Sequence, residues 1–172
     1  RQIRISETFA QEHIEDSVEE LRQNYNEMVK QFRKVRPPSV QVEDKKVAFK
    51  ERTLIYRQYS KGTDNKSDLI YFHGGGFVVG GLESHDDICA EICESTGCNV
   101  FSLDYSLAPE VKYPEFFIDA IRFYYFIKNP ERRLILVGDS SGGTLAGFVA
   151  NKVRNVSIRP EAQVLIYPDL AG

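Results

Sequence analysis

The stretch Leu134–Phe148, LILVGDSSGGTLAGF, constrains the fold more than any other part of this chain. Leu134, Ile135, Leu136 and Val137 have the length and composition of a strand buried within a parallel sheet. Gly138-Asp139-Ser140-Ser141-Gly142 follows and fits G-x-S-x-G. Thr144, Leu145, Ala146, Phe148, Val149 and Ala150 then read as a helix packed through small and apolar side chains. Strand, tight glycine-flanked turn and helix form the setting in which a serine is held at the tip of a strained turn as a nucleophile. The bland alternative is a glycine-rich turn that binds phosphate at its helix N-terminus, or binds nothing.

A second motif narrows the choice. Leu69, Ile70, Tyr71 and Phe72 form another apolar run, and His73-Gly74-Gly75-Gly76-Phe77 follows it directly. A serine attacking an acyl carbonyl creates an oxyanion, and removing one donor aimed at that charge costs roughly 3–4 kcal/mol. Backbone N–H groups serve best where no side chain obstructs the approach, which gives the glycines a purpose. Both motifs follow apolar strands, at the edge where open α/β sheets bind ligands. Ser140 is therefore the expected catalytic residue, with Gly74, Gly75 and Ser141 as expected oxyanion-hole donors. His73, Gly76, Phe77, Tyr105 and Asp139 are the expected substrate-binding residues, His73 more through its backbone than its ring.

The 172 residues bound a single domain with a real core, and 42% apolar with 27% charged residues is ordinary globular composition. A net charge of −3 gives no reason to expect nucleic acid or an anionic membrane as partner. No window approaches the about 18 consecutive apolar residues of a membrane span. The N-terminus, RQIRISETFAQEH, is polar and shows no leader pattern; since it starts at Arg1 rather than Met, further native residues are expected before it. Cys89, Cys93 and Cys98 suit reduced thiols better than a disulfide framework, and a cytoplasmic location is expected. His85, Cys89 and Cys93 share one helical stripe, which raises a metal site. They alternate with Ile88, Ala90 and Ile92 as small core residues do, and no fourth ligand is at hand, so no metal is expected.

Along the chain, residues 6–34 read as one or two helices. Val18, Leu21, Tyr25, Met28 and Phe32 form an apolar stripe that needs a partner surface. Ser17 and Glu20 have the spacing of a capping box, and Pro37-Pro38 end the segment. Val47–Phe49 and Leu54–Tyr59 read as strands that precede any crossover helix and form an antiparallel edge. From residue 69 the order is β-α-β-α-β-α-β, with Ser84 as a helix cap, Gly97 as a helix stop and Pro114 opening the helix after Cys98–Leu103. Ala162–Tyr167 is the last strand. The expected fold class is α/β: a mostly parallel sheet with helices on both faces. Residues 1–36 are a helical segment and residues 37–172 the sheet-bearing core.

His73-Gly74-Gly75-Gly76-Phe77, the loop Asp104-Tyr105-Ser106-Leu107-Ala108-Pro109-Glu110, and Gly138-Asp139-Ser140-Ser141-Gly142-Gly143 resemble the hormone-sensitive-lipase-like branch of the α/β-hydrolases. Gly80-Gly81-Leu82-Glu83-Ser84-His85-Asp86 is similar to the corresponding segment of bacterial acetyl esterases in that branch. The resemblance covers roughly residues 40–172. It implies a small-molecule ester substrate, short acyl chains, no cofactor, and N-terminal helices that cap the acyl pocket. Position 106, commonly arginine in that branch, is serine here; the arginine reads as structural.

A serine nucleophile needs a base, and the base an orienting carboxylate. In this fold they follow the serine in the order acid, then histidine. None of the residues after Ser140 is histidine; the three histidines are His13, His73 and His85. Asp169 follows a strand and reads as a loop residue, since the family's acid follows a later one. Two further strands are also missing by comparison with the family. The expectation is an N-terminal part of a longer esterase, its acid and base beyond residue 172, with its own C-terminal segment as partner and homo-oligomerisation possible. The alternatives are a truncated chain that pairs with another, and a receptor-like relative that binds a small ligand in the same pocket without turnover.

Overall fold

The computed structural model describes residues 16–62 and 65–170. His13 and the expected helix before residue 16 lie outside them. A six-stranded sheet runs in the order β1-β2-β4-β3-β5-β6, with β1 Gln41–Phe49, β2 Arg52–Ser60, β3 Ser67–Phe72, β4 Asn99–Asp104, β5 Arg133–Asp139 and β6 Ala162–Ile166. β1 and β2 are antiparallel, as is β2 to β4, while β4, β3, β5 and β6 are parallel. Strands that follow one another in the parallel part of the chain are joined through a helix: α2 Asp86–Thr96 between β3 and β4, α3 Glu115–Ile127 between β4 and β5, and α4 Ser141–Lys152 between β5 and β6. The antiparallel edge and parallel body are those expected.

The period of two along β3 assigns its faces. Leu69 and Tyr71 pack with Cys89, Ala90 and Cys93 of α2, whereas Ile70 and Phe72 pack with Phe123 of α3 and Leu145 of α4. All six β3 residues are buried. Burying each large apolar side chain is worth roughly 1.5–3 kcal/mol, so β3 anchors both layers. Cys89 and Cys93 thus sit in the core, and burial pushes the Cys93 thiol up to about 11. Among the described residues no cluster of three or more His, Cys, Asp and Glu side chains could hold a metal ion.

Helix α1, Val18–Lys30, opens with the expected capping box: Glu20 N–H donates to Ser17 Oγ at 3.3 Å and Ser17 N–H to Glu20 Oε2 at 2.8 Å. It buries no residue fully and is held by polar ties. Arg22 spans three segments, donating from Nε to the Val78 carbonyl at 2.8 Å, from Nη2 to the Ala108 carbonyl at 3.0 Å, and to both Glu110 oxygens. A groove of about 450 Å³ lies between α1 and Glu83-Ser84, lined by Gln23, Asn26, Arg33 and neighbours and not by Ser140. No helix among the described residues is long and apolar enough to cross a membrane.

Local boundaries differ where polar contacts decide them. β1 is nine residues long rather than three, because Gln41–Lys46 lie on an exposed edge strand with little apolar signal. Ser84 does not cap α2. Its hydroxyl is 3.0 Å from the Gly81 carbonyl and 2.8 Å from His85 Nδ1, and His85 occupies the cap position. Gly97, at φ 69°, ends α2 as expected. Pro114 precedes α3 by one residue rather than opening it.

Candidate active site

The two motifs meet because their strands are neighbours. Phe72 pairs in register with Gly138, so His73 and Asp139 leave the same sheet edge side by side. Ser140 stands at φ 51° and ψ −123°, a backbone region that side chains avoid, and its N–H donates to the Ile166 carbonyl at 2.9 Å. The turn closes because its flanks lack side chains: a Cβ at Gly138 would stand 2.2 Å from the Gly142 carbonyl oxygen. Ser140 is half-buried, and its hydroxyl makes no hydrogen bond with a described residue.

The loop after β3 is similarly forced. Gly75 adopts φ 125°, and a Cβ there would meet the Val79 carbonyl oxygen at 2.0 Å. The Gly75 carbonyl accepts from Val78 and Val79 N–H at 3.0 Å each, which folds the loop back on itself.

Gly74, expected to donate to an oxyanion, does not have its N–H free. It donates to Asp139 Oδ1 at 3.1 Å. The N–H groups of Gly75 and Gly76 make no hydrogen bond among the described residues. Ser141 opens α4, so its N–H has no intrahelical acceptor. Among the described residues, Gly75, Gly76 and Ser141 thus each carry a backbone N–H near the turn that makes no hydrogen bond.

Three expected substrate-binding residues lie behind the surface instead. Tyr105 is 2% exposed, stacks on the His73 ring at 4.2 Å between centroids, and donates from its hydroxyl to the His73 carbonyl at 2.7 Å. The His73 ring is fully buried, with Nδ1 2.8 Å from the Gly74 carbonyl. A carbonyl only accepts, so Nδ1 carries the proton and the buried, unpartnered Nε2 does not. Burial, reinforced by nearby His85, presses the His73 pKa down to about 3, and the ring is neutral. Asp139 is 9% exposed, its Oδ1 also accepting from the Tyr71 hydroxyl at 2.8 Å and its Oδ2 facing His85 Nε2 at 3.4 Å. Burial works to raise its pKa, but the His85 and Tyr71 hydrogen bonds outweigh it and hold the carboxyl below its ordinary value.

Phe77 is half-exposed and begins an aromatic surface. Its ring stacks on Phe116 at 4.5 Å and lies 5.8 Å from Phe117, which lies 4.4 Å from Phe148 of α4. The serine at position 106 also finds its physical account. Arg52 reaches across from β2, donating to Ser106 Oγ at 2.8 Å and to both Asp119 oxygens at 2.8 and 2.9 Å. A guanidinium from another strand thus occupies the place beside Asp119.

Residues 69–172 match the alpha/beta hydrolase fold family. The chain belongs to the α/β-hydrolase fold family. An ethyl acetate hydrolase of Pseudomonas putida is 38% identical over 129 residues, 67% of this chain and 41% of that protein. An acetyl esterase of Salmonella typhi is 31% identical over 147 residues, 81% of this chain and 46% of that one. An esterase structure from Pyrobaculum calidifontis superposes with a TM-score of 0.82 at 30% identity, covering 90% of this chain and 53% of that one. This α/β-hydrolase chain thus spans about half the length of the relatives it matches. The resemblance to the hormone-sensitive-lipase-like branch and its acetyl esterases holds.

Proposed function

We propose that these residues carry the nucleophile and oxyanion hole of a serine carboxylic-ester hydrolase acting on short acyl esters. The observation that carries this reading is Ser140 at φ 51° on a turn that touches the glycine loop. Relatives named acetyl esterase and ethyl acetate hydrolase support the substrate class. Ser140 Oγ attacks the acyl carbonyl carbon as its proton passes to a base, and the carbonyl π pair becomes the oxyanion charge. Gly75, Gly76 and Ser141 donate backbone N–H groups to that charge, in place of the Gly74 first expected. Collapse expels the alcohol, which takes the proton from the base, and water then cleaves the acyl-serine by the reverse sequence.

The base is not among the histidines described. His73 is neutral, buried and turned to Gly74, and His85 faces Asp139. In this reading a carboxylate and a histidine come from sequence beyond residue 172, and the 172 residues alone turn over little or no ester. Residues 16–36 form part of a cap. Tyr25 of α1 supports this, since burial and the nearby Asp139 charge push its phenol up to about 12. Phe77, Phe117 and Phe148 line the wall that receives the substrate. The test is hydrolysis of 4-nitrophenyl acetate by the full-length protein, expected to vanish in Ser140→Ala. Retained ligand binding without any turnover would instead make this a non-catalytic binding protein.

A further inference from the structure

Asp139 joins two parts of the site that must keep a fixed relation. It precedes Ser140 in the chain, and its carboxylate takes bonds from three other segments: the Tyr71 hydroxyl of β3, the Gly74 N–H of the loop, and His85 beside α2. His85 is itself held, with Nδ1 2.8 Å from Ser84 Oγ. A Cβ on Gly74 would come 2.2 Å from Asp139 Oδ2, so the loop backbone rests directly on the carboxylate. Nothing in this arrangement turns the carboxylate toward a substrate.

We propose that Asp139 is a positioning residue: by accepting the Gly74 N–H it fixes the glycine loop to the nucleophile's own turn. Gly75 and Gly76 follow the clamped residue, so their N–H groups keep a constant relation to Ser140 Oγ. The kinetic consequence rests on the ester-hydrolase reading above; the clamp itself does not. An oxyanion exists only after attack, so a loop that drifts loses kcat and leaves ground-state binding nearly intact.

The clamp needs an oxygen acceptor at this place, not a negative charge. Asparagine supplies one, because its Oδ1 can take the Tyr71 and Gly74 bonds while its amide donates to His85 Nε2 in the ring tautomer whose Nδ1–H donates to Ser84 Oγ. Alanine supplies none, and serine is too short. A residue acting through its charge would fail as badly with asparagine as with alanine.

The experiment compares Asp139→Asn, Asp139→Ala and Asp139→Ser in the full-length protein, with active sites counted by stoichiometric phosphonylation. Per counted site, Asp139→Ala is expected to lower kcat on 4-nitrophenyl acetate by about 10- to 100-fold with KM changed by less than about threefold. Its affinity for a trifluoromethyl ketone, which forms a tetrahedral oxyanion adduct, should fall in proportion. Asp139→Asn should keep kcat within about fivefold of the parent. Asp139→Ser replaces the alanine variant if that one does not fold. The Gly74 amide gives a readout independent of turnover: protected from exchange in the parent and in Asp139→Asn, exposed in the others. Equal kinetic losses in Asn and Ala variants, or an Ala variant with parental kcat, would overturn the proposal. Should the parent hydrolyse no ester, the ester-hydrolase reading falls and the Gly74 amide alone decides. Protection that survives in Asp139→Ala or Asp139→Ser then refutes the clamp.

Discussion

Gly142 of α4 leaves no room for a β-carbon, because the Phe72 carbonyl oxygen would stand 2.0 Å from it and the His73 carbonyl oxygen 2.5 Å. The first turn of the helix after the nucleophile thus rests against the end of β3. Neither oxygen belongs to a flexible side chain, so the strands or the helix must move to admit even one methyl group. Gly142→Ala is expected to lose about 3 kcal/mol or more of stability, at the upper end of overpacking costs. Gly62→Ala is the contrast: its φ of 68° strains an alanine, but it has open space around it, and it should cost only about 1 kcal/mol. Urea midpoints for the pair check this; a loss for Gly142→Ala no larger than that for Gly62→Ala would refute the contact cost at Gly142.

Ser140 holds a conformation that glycine tolerates better. Relieving strain of this kind is worth about 1–3 kcal/mol, less the extra freedom that glycine gives the unfolded chain. Ser140→Gly is expected to raise stability by about 1 kcal/mol while abolishing ester turnover. Thermal melts of Ser140→Gly and Ser140→Ala separate the two effects, since alanine removes the hydroxyl but keeps the strain. Equal melting temperatures for the two would count against strain at this turn.

The elements of this fold were legible where local pattern and packing agree. The apolar runs of β3 and β5 are buried on both faces, so composition alone marks them, and the glycines beside them are required by backbone contacts within a few residues. The donor set was not legible. Whether Gly74 N–H is free depends on where the Asp139 carboxylate points, a contact 65 residues apart in sequence that no local pattern records. The orientation of Tyr105 is not legible either, for a similar reason: an aromatic residue in a loop after a strand can face a pocket or brace its back. Here its hydroxyl finds the His73 carbonyl and its ring finds the His73 ring. The sequence signal that could have hinted at this is the acidic residue next to the serine, which needs partners once buried.

Arg52 and Asp119 form the pair on which α3 depends. Asp119 is fully buried, and Arg52 donates to both of its oxygens. Removing the arginine leaves a buried carboxylate with one backbone partner, the Ser106 N–H at 3.2 Å. Breaking a buried pair from one side typically costs about 3–5 kcal/mol, so Arg52→Leu should lose roughly 3 kcal/mol, given that Arg52 is itself partly exposed. Ser106→Arg in that background should recover part of the loss. Denaturant midpoints of the single and double variants measure it, and a double variant no better than Arg52→Leu would refute the substitution of one arginine for the other.

Arg22 links α1 to the glycine loop and to the loop after β4, through Val78 and Ala108. Because α1 buries no residue fully, this link bears much of its docking. Arg22→Ala is expected to accelerate amide exchange several-fold across Val18–Lys30, with β3 and β5 unchanged. Arg22→Lys should restore little, since an ammonium cannot engage both carbonyls and the Glu110 carboxylate in one planar fork. Exchange mapped by mass spectrometry decides; acceleration spread over the whole sheet would mean global destabilisation instead of undocking.

His73 makes stability depend on pH in a direction that can be worked out. Its folded pKa is about 3 against an ordinary 6.5, because burial disfavours the charged ring. Above pH 6.5 the ring is neutral in both states and costs nothing. As pH falls below 6.5 the unfolded chain binds a proton that the folded chain refuses, so stability declines, by up to about 1.4 kcal/mol per pH unit. From pH 7 to pH 5 this amounts to roughly 2 kcal/mol. The depressed carboxylates Glu83 and Glu110 act on the other side of that window, since their contributions are lost only as pH falls below their ordinary 4.5. Urea midpoints at pH 7, 6 and 5 for the parent and for His73→Asn isolate the histidine. The parent should lose more stability than the variant across this range, and parallel slopes would show that His73 is not the neutral, buried group described here.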